Sequence, residues 1–324
     1  MITRRRFAAI AAASTCAPMM LRLHAAHAQP WPARFVRFIV PFPAGVAPDI
    51  GCRVLGARLS EMWGQQVVVE NKPGAGGNIG TEAVARSAPD GYTVLMAAFT
   101  HAVNGFLYRS IGYDPVADFE PVTLLSHQPC VMIVPNSSPV QSVAEFISYA
   151  KVNAGKISYA SAGHGTSPHL CGELFKRTTG IEMTHVPYRT GAQQDLVAGH
   201  VDVMFAVAPF DLLRTAEARG LAVTTAKRVT AAPELPTMAE SGVAGFDVAP
   251  WWGLFVPAKT SPAIVAKLHV DTIAVLAEPD IQKKLQNLGS IPISSTPEEL
   301  ARHLQAEMAK WGSVIRDANI RLDG

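Results

Sequence analysis

The sequence predicts an α/β fold of two domains, with a central cleft and two crossings of the chain from one domain to the other. Strand-like and helix-like segments alternate from residue 36 to about residue 96, and the alternation restarts after about residue 135. The 296 residues that follow a predicted 28-residue leader exceed what one core usually organises. The domains are expected at 29–130 with 251–324, and at 131–250.

The first domain is predicted from apolar strand-like segments that each run into a loop or turn. The strands are expected at 36–40, 67–69 and 92–96, and the helices at 50–62 and 79–88. Such crossover units form a mostly parallel sheet, whose ligands bind beyond the carboxyl ends of its strands. The loops 42–48, 71–78 and 98–101 are therefore expected to share one rim, with Thr100 as a candidate ligand contact.

The second domain is predicted from a second series of strands and helices, which follows an irregular segment at 113–122. It opens with a strand at 131–134 and a helix that starts at the capping box of Ser142 and Glu145. The later strands are expected at 157–160, 183–187, 201–205 and 221–225, and the helices at 168–179, 191–199 and 211–218.

The chain is expected to return to the first domain near residue 250. After the strand 251–257 only helices are predicted, at 261–277, 279–288 and 296–316, and these need the first sheet to cover. The crossings near 127–135 and 248–255 are expected to form a hinge that can open and close.

The first 28 residues are predicted to be an export signal that is removed. Three arginines, residues 4–6, precede an alanine-rich apolar run and the small-x-small cleavage site Ala26-His27-Ala28. A membrane anchor is disfavoured because Arg22 interrupts the run, which is shorter than the ~20 apolar residues of a span. We expect a periplasmic protein, exported folded by a twin-arginine route and cleaved near Ala28.

Charge and cysteine content exclude several classes of partner. Removal of the leader takes four arginines from 28 Lys and Arg residues and leaves 24 against 26 acidic residues, a net charge of about −2. No basic stripe remains for nucleic acid. Cys52, Cys130 and Cys171 show no metal or redox spacing and are expected to be small core residues, although their pairing stays open.

Residues 161–169 are the stretch around which a binding function is predicted. Gly163 and Gly165 allow a tight turn, and Thr166 or Ser167 can cap the helix that Pro168 starts. A small-residue loop before a helix N-terminus aims unpaired amide N–H groups at one point and attracts an anion. We therefore expect the loop 161–167 to bind a carboxylate.

Two catalytic or nucleotide-binding alternatives are disfavoured. The glycine cluster 74–80 has Ile79 where a dinucleotide fingerprint needs its third glycine, and it lacks the Gly-Lys-Ser/Thr ending of a phosphate loop. A triad of Ser161, His164 or His169, and Asp195 can be drawn, but the sequence has no Gly-x-Ser-x-Gly elbow. No catalytic residue and no cofactor are predicted.

Three polar side chains near this loop allow more than one interpretation. His164, His169 and Cys171 fit no standard set of metal ligands, so no metal site is predicted. His169 is expected to lie packed or hydrogen-bonded under the loop, whereas His164 either contacts the ligand or faces water. Arg189 either pairs with a carboxylate or is solvated on the rim.

The whole chain after about residue 35 resembles the Bug-type periplasmic solute receptors, the substrate-binding proteins of tripartite tricarboxylate transporters. The motifs that carry the resemblance are Val40-Pro41-Phe42 with Gly45 and Asp49, the run 69–80, Pro89-Asp90-Gly91, Tyr113-Asp114-Pro115, Ser161-Ala162-Gly163 with Gly165-Thr166, His185-Val186-Pro187-Tyr188-Arg189, and 236–242.

The resemblance implies a type II periplasmic-binding-protein fold, in which a small carboxylate is held between the domains by the loops 42–49 and 161–167. The resemblance and the loops themselves together indicate a set of ligand-binding residues. On the first domain these are Phe42, Gly45, Val46, Asp49 and Thr100, and on the second they are Ser161, Gly163, His164, Gly165, Thr166, Ser167, Tyr188 and Arg189.

This sequence departs from the family pattern at several site positions. The family has a second glycine where Val46 stands, often Asn in place of His164, often Gly in place of Thr190, and often an acid in the region of 206–208, here Ala-Val-Ala. Val46 is expected to narrow the pocket. With Ala206, it suggests an apolar or aromatic acid as ligand rather than an amino acid.

The predicted function is an exported receptor that binds a small carboxylate and delivers it to the permease subunits of a tripartite transporter. A monomer that catalyses no reaction is expected. The alternatives are a sensor on the same fold and a hydrolase or lyase acting on a small acid.

Overall fold

The computed structural model describes residues 31–322, which form two sheets with helices packed against them. The strands are β1 (Val36–Val40), β2 (Val67–Asn71), β3 (Thr93–Ala98), β4 (Phe119–His127), β5 (Cys130–Pro135), β6 (Ser158–Ser161), β7 (Thr184–Pro187), β8 (Val203–Val207), β9 (Ala218–Val223), β10 (Trp251–Pro257) and β11 (Ile291–Pro292).

Ten α-helices lie in the described part of the chain. They are α1 (Ala47–Trp63), α2 (Asn78–Ala85), α3 (Thr100–Leu107), α4 (Val143–Val152), α5 (Ser167–Thr179), α6 (Ala192–Val197), α7 (Phe210–Arg214), α8 (Pro262–Leu276), α9 (Pro279–Gln286) and α10 (Pro297–Asp317). Four of the longer helices, α1, α5, α8 and α10, start with a proline in their first two positions, where the missing N–H costs nothing.

The first sheet has six strands in the order β11-β4-β10-β3-β1-β2, and we call it and its helices lobe 1. β1 pairs in parallel with β2 and β3, whereas β10 pairs antiparallel with both β3 and β4. The strands that the sequence predicted are present, but the sheet is mixed and not mostly parallel. The reason is that β10 enters from the second crossing and runs against β3.

The second sheet has five strands in the order β7-β6-β8-β5-β9, and we call it and its helices lobe 2. β6 pairs in parallel with β7 and β8, and β5 pairs antiparallel with β8 and β9. Two mixed α/β sheets joined by crossing strands confirm the predicted fold class. The carboxyl ends of β6 and β8 and the amino end of β5 lie at the same edge.

Two short crossings connect the lobes and are bonded to each other. Between β4 and β5 only Gln128 and Pro129 intervene, and the amide of Gln128 donates to the carbonyl oxygen of Pro250 at 2.6 Å. Pro250 directly precedes β10, so both crossings lie side by side. The apolar core of one lobe is continuous with that of the other. Helix α5 of lobe 2 packs against α10 of lobe 1, and one cluster of buried side chains contains both Phe175 of α5 and Trp311 of α10.

Three elements differ from the sequence-based expectation. β4 starts at Phe119 inside the segment predicted to be irregular, α3 follows β3 where only a loop was expected, and the two-residue strand β11 lies among the C-terminal helices. The helix cap of α4 at Ser142 and the capping box of Thr296 and Glu299 at α10 are present as predicted.

Cys52, Cys130 and Cys171 are buried and unpaired, in agreement with their interpretation as core residues. Within residues 31–322, no helix has the length and apolar character needed to cross a bilayer. The predicted leader and Ala28 lie outside the described residues.

Candidate functional site

The two loops singled out in the sequence follow the carboxyl ends of strands at the edges that meet the crossings. The loop before α1 follows β1, and the loop before α5 follows β6. Trp252, at the start of β10, lies opposite Ala98 at the end of β3, so the carboxyl ends of β1 and β3 lie at the crossing edge of lobe 1. Likewise, Cys130, at the start of β5, lies opposite Val207 at the end of β8. Both loops therefore lie at the edges by which the lobes are joined.

The loop of lobe 1 ends in a braced turn at the N-terminus of α1. Val46 is the N-cap residue, and Gly45 before it has φ of 84°, in the left-handed region that favours glycine. The amide of Gly45 donates to Oδ2 of Asp49 at 2.8 Å. The side chain at the third helical position thus reaches back to the residue before the cap.

Asp49 is itself held by a network within lobe 1. It is 2 % exposed, and its oxygens accept hydrogen bonds from Nε of Arg53 at 3.1 and 3.2 Å and from Nδ2 of Asn71 at 2.8 Å. Burial by itself raises the pKa of Asp49, but the bonds from Arg53, Gly45 and Asn71 outweigh it and hold that pKa below its ordinary value. We conclude that Asp49 is an ionised brace whose oxygens are occupied by protein donors.

The loop of lobe 2 is built in the same way. Thr166 is the N-cap residue of α5, Gly165 before it has φ of 75°, and Pro168 occupies the second helical position as Pro48 does in α1. The amide of Gly165 donates to Nδ1 of His169 at 3.0 Å. The third helical residue again accepts the amide of the glycine before the cap, with an imidazole in place of the carboxylate.

His169 belongs to a cluster of three imidazoles. Its ring stacks on that of His185 with centroids 3.8 Å apart and an interplanar angle of 15°, and the ring of His164 stands almost perpendicular to both. Burial, and then the neighbouring histidines, lower the pKa of His185 to about 3; burial, His164 and Lys176 lower that of His169 to about 4. The rings of His169, which is buried, and His185, which is half-buried, are therefore both neutral near pH 7.

The hydrogen bonds of His169 bear on whether the cluster can hold a metal. The ring nitrogens of the three histidines lie within 4.8 Å of one another. However, Nδ1 of His169 accepts the Gly165 amide, which in the neutral ring places the proton on Nε2. A metal ligand needs a free lone pair, which this tautomer does not offer. The arrangement of His169 thus fits a hydrogen-bond donor better than a metal ligand.

Several predicted contact residues of lobe 2 are used to shape the loop. Oγ of Ser161 accepts the amide of Gly163 at 3.0 Å and lies 2.6 Å from Nε2 of His185, and it is fully buried. Oγ1 of Thr166 donates to the carbonyl oxygen of Gly163 at 2.7 Å, whereas the expected side-chain cap bond to the helix is not formed. Ser161 and Thr166 therefore act first as braces of the turn.

Backbone donors at the two helix N-termini remain free. Among residues 31–322, no hydrogen-bond partner is found for the amides of Val46, Ala47 and Asp49 in lobe 1, or for those of His164, Ser167 and His169 in lobe 2. By contrast, four other amides donate hydrogen bonds within their own loops or to the helix that follows: those of Gly45, Gly163 and Gly165, and that of Thr166. The Thr166 bond, to the carbonyl oxygen of Gly163, is long at 3.4 Å. The free donors together with the positive helix ends are what an anion can bind.

The loop of lobe 2 also touches lobe 1. A Cβ atom placed on Gly165 would lie 2.7 Å from Cδ1 of Leu107 and 3.2 Å from Cδ1 of Leu322. Leu322 is in turn attached to the end of α3, because its amide donates to the carbonyl oxygen of Leu107 at 2.8 Å. The loop 161–167 therefore lies at the boundary between the lobes and not inside one of them.

The remaining predicted residues take different positions. Val46 and Arg189 are exposed, and Arg189 forms no ion pair within the described chain. Phe42 is half-buried against the lobe 1 core, and its carbonyl oxygen accepts Nδ2 of Asn71. The hydroxyl of Tyr188 donates to Asp195 at 2.7 Å and is thus tied to α6. Thr100 is the first residue of α3.

Ala206 does not line the site as the sequence interpretation required. It is fully buried in the core of lobe 2 and lies opposite Val131 in the sheet. Ala206 therefore gives no information about the ligand, and only Val46 still favours an apolar one.

Sequence reasoning did not identify three residues that support the loops. Arg53 and Asn71 hold Asp49, and His185 holds both Ser161 and His169. Both Asn71, the last residue of β2, and His185, within β7, stood in the motifs, which was the available signal. Arg53 lies four residues after Asp49 on α1, the spacing of a helical ion pair.

A cavity lies elsewhere between the lobes. A cavity of about 580 Å³ is lined by His127, Lys310, Asp247, Glu307 and neighbouring residues. Lys227, Arg228 and Lys310 face Asp247 and Glu307 in its lining, which includes no helix N-terminus. The free amides at the two helix N-termini remain the candidate for carboxylate binding.

Two α/β lobes, each with a helix N-terminus at the edge where the lobes join, are the arrangement expected of a solute-binding receptor. Residues 52–320 match the family described as the tripartite tricarboxylate transporter family receptor, TctC. Over 301 residues the chain is 34 % identical to Protein BugT of Bordetella pertussis, covering 91 % of this chain and 92 % of that protein. The chain belongs to this receptor family, as the sequence motifs indicated.

Solved structures with the same fold include proteins with bound carboxylates. Rpa4515 of R. palustris with adipate is 40 % identical, with a TM-score of 0.79, and the match covers 90 % of this chain and all of that one. MatC of Rhodopseudomonas palustris with bound malate is 32 % identical, with a TM-score of 0.75, covering 88 % of this chain and 99 % of that one. The family consists of receptors and not of enzymes.

Proposed function

We propose that this protein captures a small carboxylate between its two lobes and delivers it to the membrane subunits of a tripartite transporter. The observation that carries the proposal is the pair of equivalently braced helix N-termini, one in each lobe, each with free amides at its first turn. Relatives with bound adipate and malate support a carboxylate as the ligand class.

The carboxylate is held by backbone donors of both loops. The free amides of His164 and Ser167 bind it from lobe 2, and those of Val46 and Ala47 approach it from lobe 1. Hydrogen bonds to a charged group contribute ~1.5–3 kcal/mol each, so a few well-directed donors suffice for affinity. Gly45, Gly163 and Gly165 give the loops their shape, while Ser161, Thr166 and Asp49 keep that shape fixed.

Other side chains define the rim of the site. Phe42, Val46 and Thr100 border it on lobe 1, and His164, Tyr188 and Arg189 border it on lobe 2. Arg189 is exposed and free to meet an incoming anion, while Val46 favours an apolar ligand body. Binding requires no covalent step.

The lobes correspond to domains at 29–130 with 251–324 and at 131–250, and they close about the paired crossings. The ligand stabilises the closed form by binding it more tightly than the open one. We infer that the protein is exported to the periplasm after cleavage near Ala28 and works as a monomer with permease subunits.

Thermal-shift measurements and calorimetry with a panel of acids test the proposal. Adipate, malate, benzoate and glutamate are titrated into the purified protein, with the neutral diamide of adipic acid as control. We expect a stabilising shift with at least one of the acids and none with the diamide. Equal binding of the diamide, or release of a chemically altered acid, would contradict the proposal.

A further inference from the structure

The two braced loops differ in the charge of the group that holds them. In both, the residue at the third helical position accepts the amide of the glycine before the cap, at 2.8 Å for Asp49 and at 3.0 Å for His169. The position and bond are equivalent, but one acceptor is a carboxylate and the other an imidazole. This difference has a consequence for where an anion can bind.

In lobe 1 the charge of the brace is neutralised within the lobe. Nη2 of Arg53 lies 3.0 Å from Oδ1 of Asp49 in an ion pair, and Asn71 donates to the same oxygen. The carboxylate nevertheless remains at the N-terminus of α1 and already occupies the favourable position for a negative charge there.

In lobe 2 the group that accepts the glycine amide, the imidazole of His169, is uncharged. His169 is 4 % exposed and stacks on His185, and the charges that act on it come from His164 and Lys176. Burial, together with these two neighbours, holds the pKa of His169 at about 4, so the ring is neutral near pH 7. The N-terminus of α5, a helix of 13 residues, is therefore left without a negative charge from its first turn.

We propose that His169 keeps lobe 2 able to bind the ligand's carboxylate, because it supports the Gly165 amide with an uncharged acceptor and so leaves the N-terminus of α5 open to that group. This inference rests on the proposed function and adds to it which lobe holds the charged group. A carboxylate at position 169 would lie within one helical turn of the free amides and repel the ligand. Repulsion between unit charges at such a distance weakens binding on the order of tenfold to a hundredfold.

The matched variants His169→Asn and His169→Asp separate this role from a merely structural one. Oδ1 of either side chain lies two bonds beyond Cβ, as Nδ1 of histidine does, and Asp49 shows that such an oxygen makes this bond in lobe 1. Both variants lose the stacking on His185 equally. They differ only in charge.

Calorimetric titrations of adipate, malate and benzoate into the wild type and both variants provide the test. We expect His169→Asn to retain affinity within about threefold and His169→Asp to bind at least tenfold more weakly, with urea unfolding used to confirm that both variants are folded. Equal affinities of the two variants would overturn this inference and leave the proposed function standing. Failure of the wild type to bind any of the acids would overturn both.

The protonation state of His169 in the wild type tests the inference without any variant, and so also when a variant does not fold. The ring nitrogens of His169 are observed by ¹⁵N NMR at pH 7, without ligand and with a saturating amount of the acid that binds. We expect a neutral ring with its proton on Nε2 in both states. A doubly protonated His169 in the complex would overturn the inference, because the ring would then supply a positive charge to the ligand.

Discussion

The ring of His185 lies parallel to the ring of His169, with centroids 3.8 Å apart, directly beneath the loop that we assign to ligand binding. His185 also lies 2.6 Å from Oγ of Ser161 at the start of that loop. A single stacked pair thus supports both ends of the turn. This makes the shape of the loop depend on the protonation of both rings.

The stability of the protein is expected to fall in mild acid because of His169. Its folded pKa of about 4 lies below the unfolded value of about 6.5, so the unfolded chain binds a proton first as the pH falls. Stability from this group is fully present above about pH 6.5 and is lost as the pH falls toward 4. The loss is on the order of 3 kcal/mol.

Urea unfolding at several pH values between 4 and 7 measures this effect. His169→Asn lacks the titrating ring, so the difference in unfolding free energy between it and the wild type is expected to shrink as the pH is lowered. A difference that stays constant over this range would show that His169 titrates normally in the folded protein.

Gly165→Ala is expected to lower both stability and ligand affinity. Its φ of 75° strains any residue with a Cβ atom, and that atom would meet Leu107 at 2.7 Å. Gly155→Ala is a matched control in the same lobe, because Gly155 also has φ of 75° and an added Cβ there meets nothing within 4 Å. We expect unfolding to become easier by about 1 kcal/mol in the control and by more at Gly165.

Only Gly165→Ala is expected to weaken acid binding, as measured by calorimetry on both variants. Equal loss of affinity in both would indicate a general effect of strain in lobe 2 and not an effect on the loop at the lobe boundary.

Thr166→Ala is expected to weaken acid binding about tenfold while the protein stays folded. The change removes the hydroxyl that donates to the carbonyl oxygen of Gly163 at 2.7 Å, a bond that contributes about 1 kcal/mol and fixes the turn. Thr166→Ser keeps the hydroxyl and is expected to bind almost as the wild type does. Calorimetry measures the affinity of both variants for the acid. If Thr166→Ala binds as tightly as the wild type, Thr166 does not contribute to the binding site.

Asp49→Asn is expected to destabilise lobe 1 by about 2 kcal/mol near pH 7, because bonds from Arg53 and Asn71 to a charged oxygen are lost or weakened. The folded pKa of Asp49 is lowered, so its contribution is present above the unfolded pKa near 3.9 and is lost as the pH falls through the folded value. Unfolding curves of the variant and the wild type should therefore converge in strong acid. Curves that stay apart there would contradict an ionised brace.

The fold and the two loops could be predicted because their signals are local in the sequence. The strands that end before each loop are short apolar runs, and the helices after them start with proline near a glycine. β4 was missed because Pro121, its third residue, interrupts the apolar pattern, and a proline within a strand argues against a strand when only the sequence is read.

The braces of the loops could not be predicted because they join distant parts of the chain. Asn71 is hydrogen-bonded to Asp49, 22 residues away in the sequence, and His185 contacts Ser161, 24 residues away. The sequence also could not show that Ala206 points into the core, since the face of a strand depends on its register with its neighbours. Asp49, Ser161 and Thr166 were therefore assigned to the ligand although their polar atoms hold the loops.

In the proposed complex, free amides at the N-termini of α1 and α5 donate hydrogen bonds to a carboxylate. Amide chemical shifts recorded by ¹H–¹⁵N NMR during titration with adipate, or with whichever acid of the panel binds, test it most directly. We expect the amides of Ser167 and His164 in lobe 2, and of Ala47 in lobe 1, to shift downfield in step with saturation, while that of Gly155 stays in place. Saturable binding that leaves the first three unchanged would contradict the account.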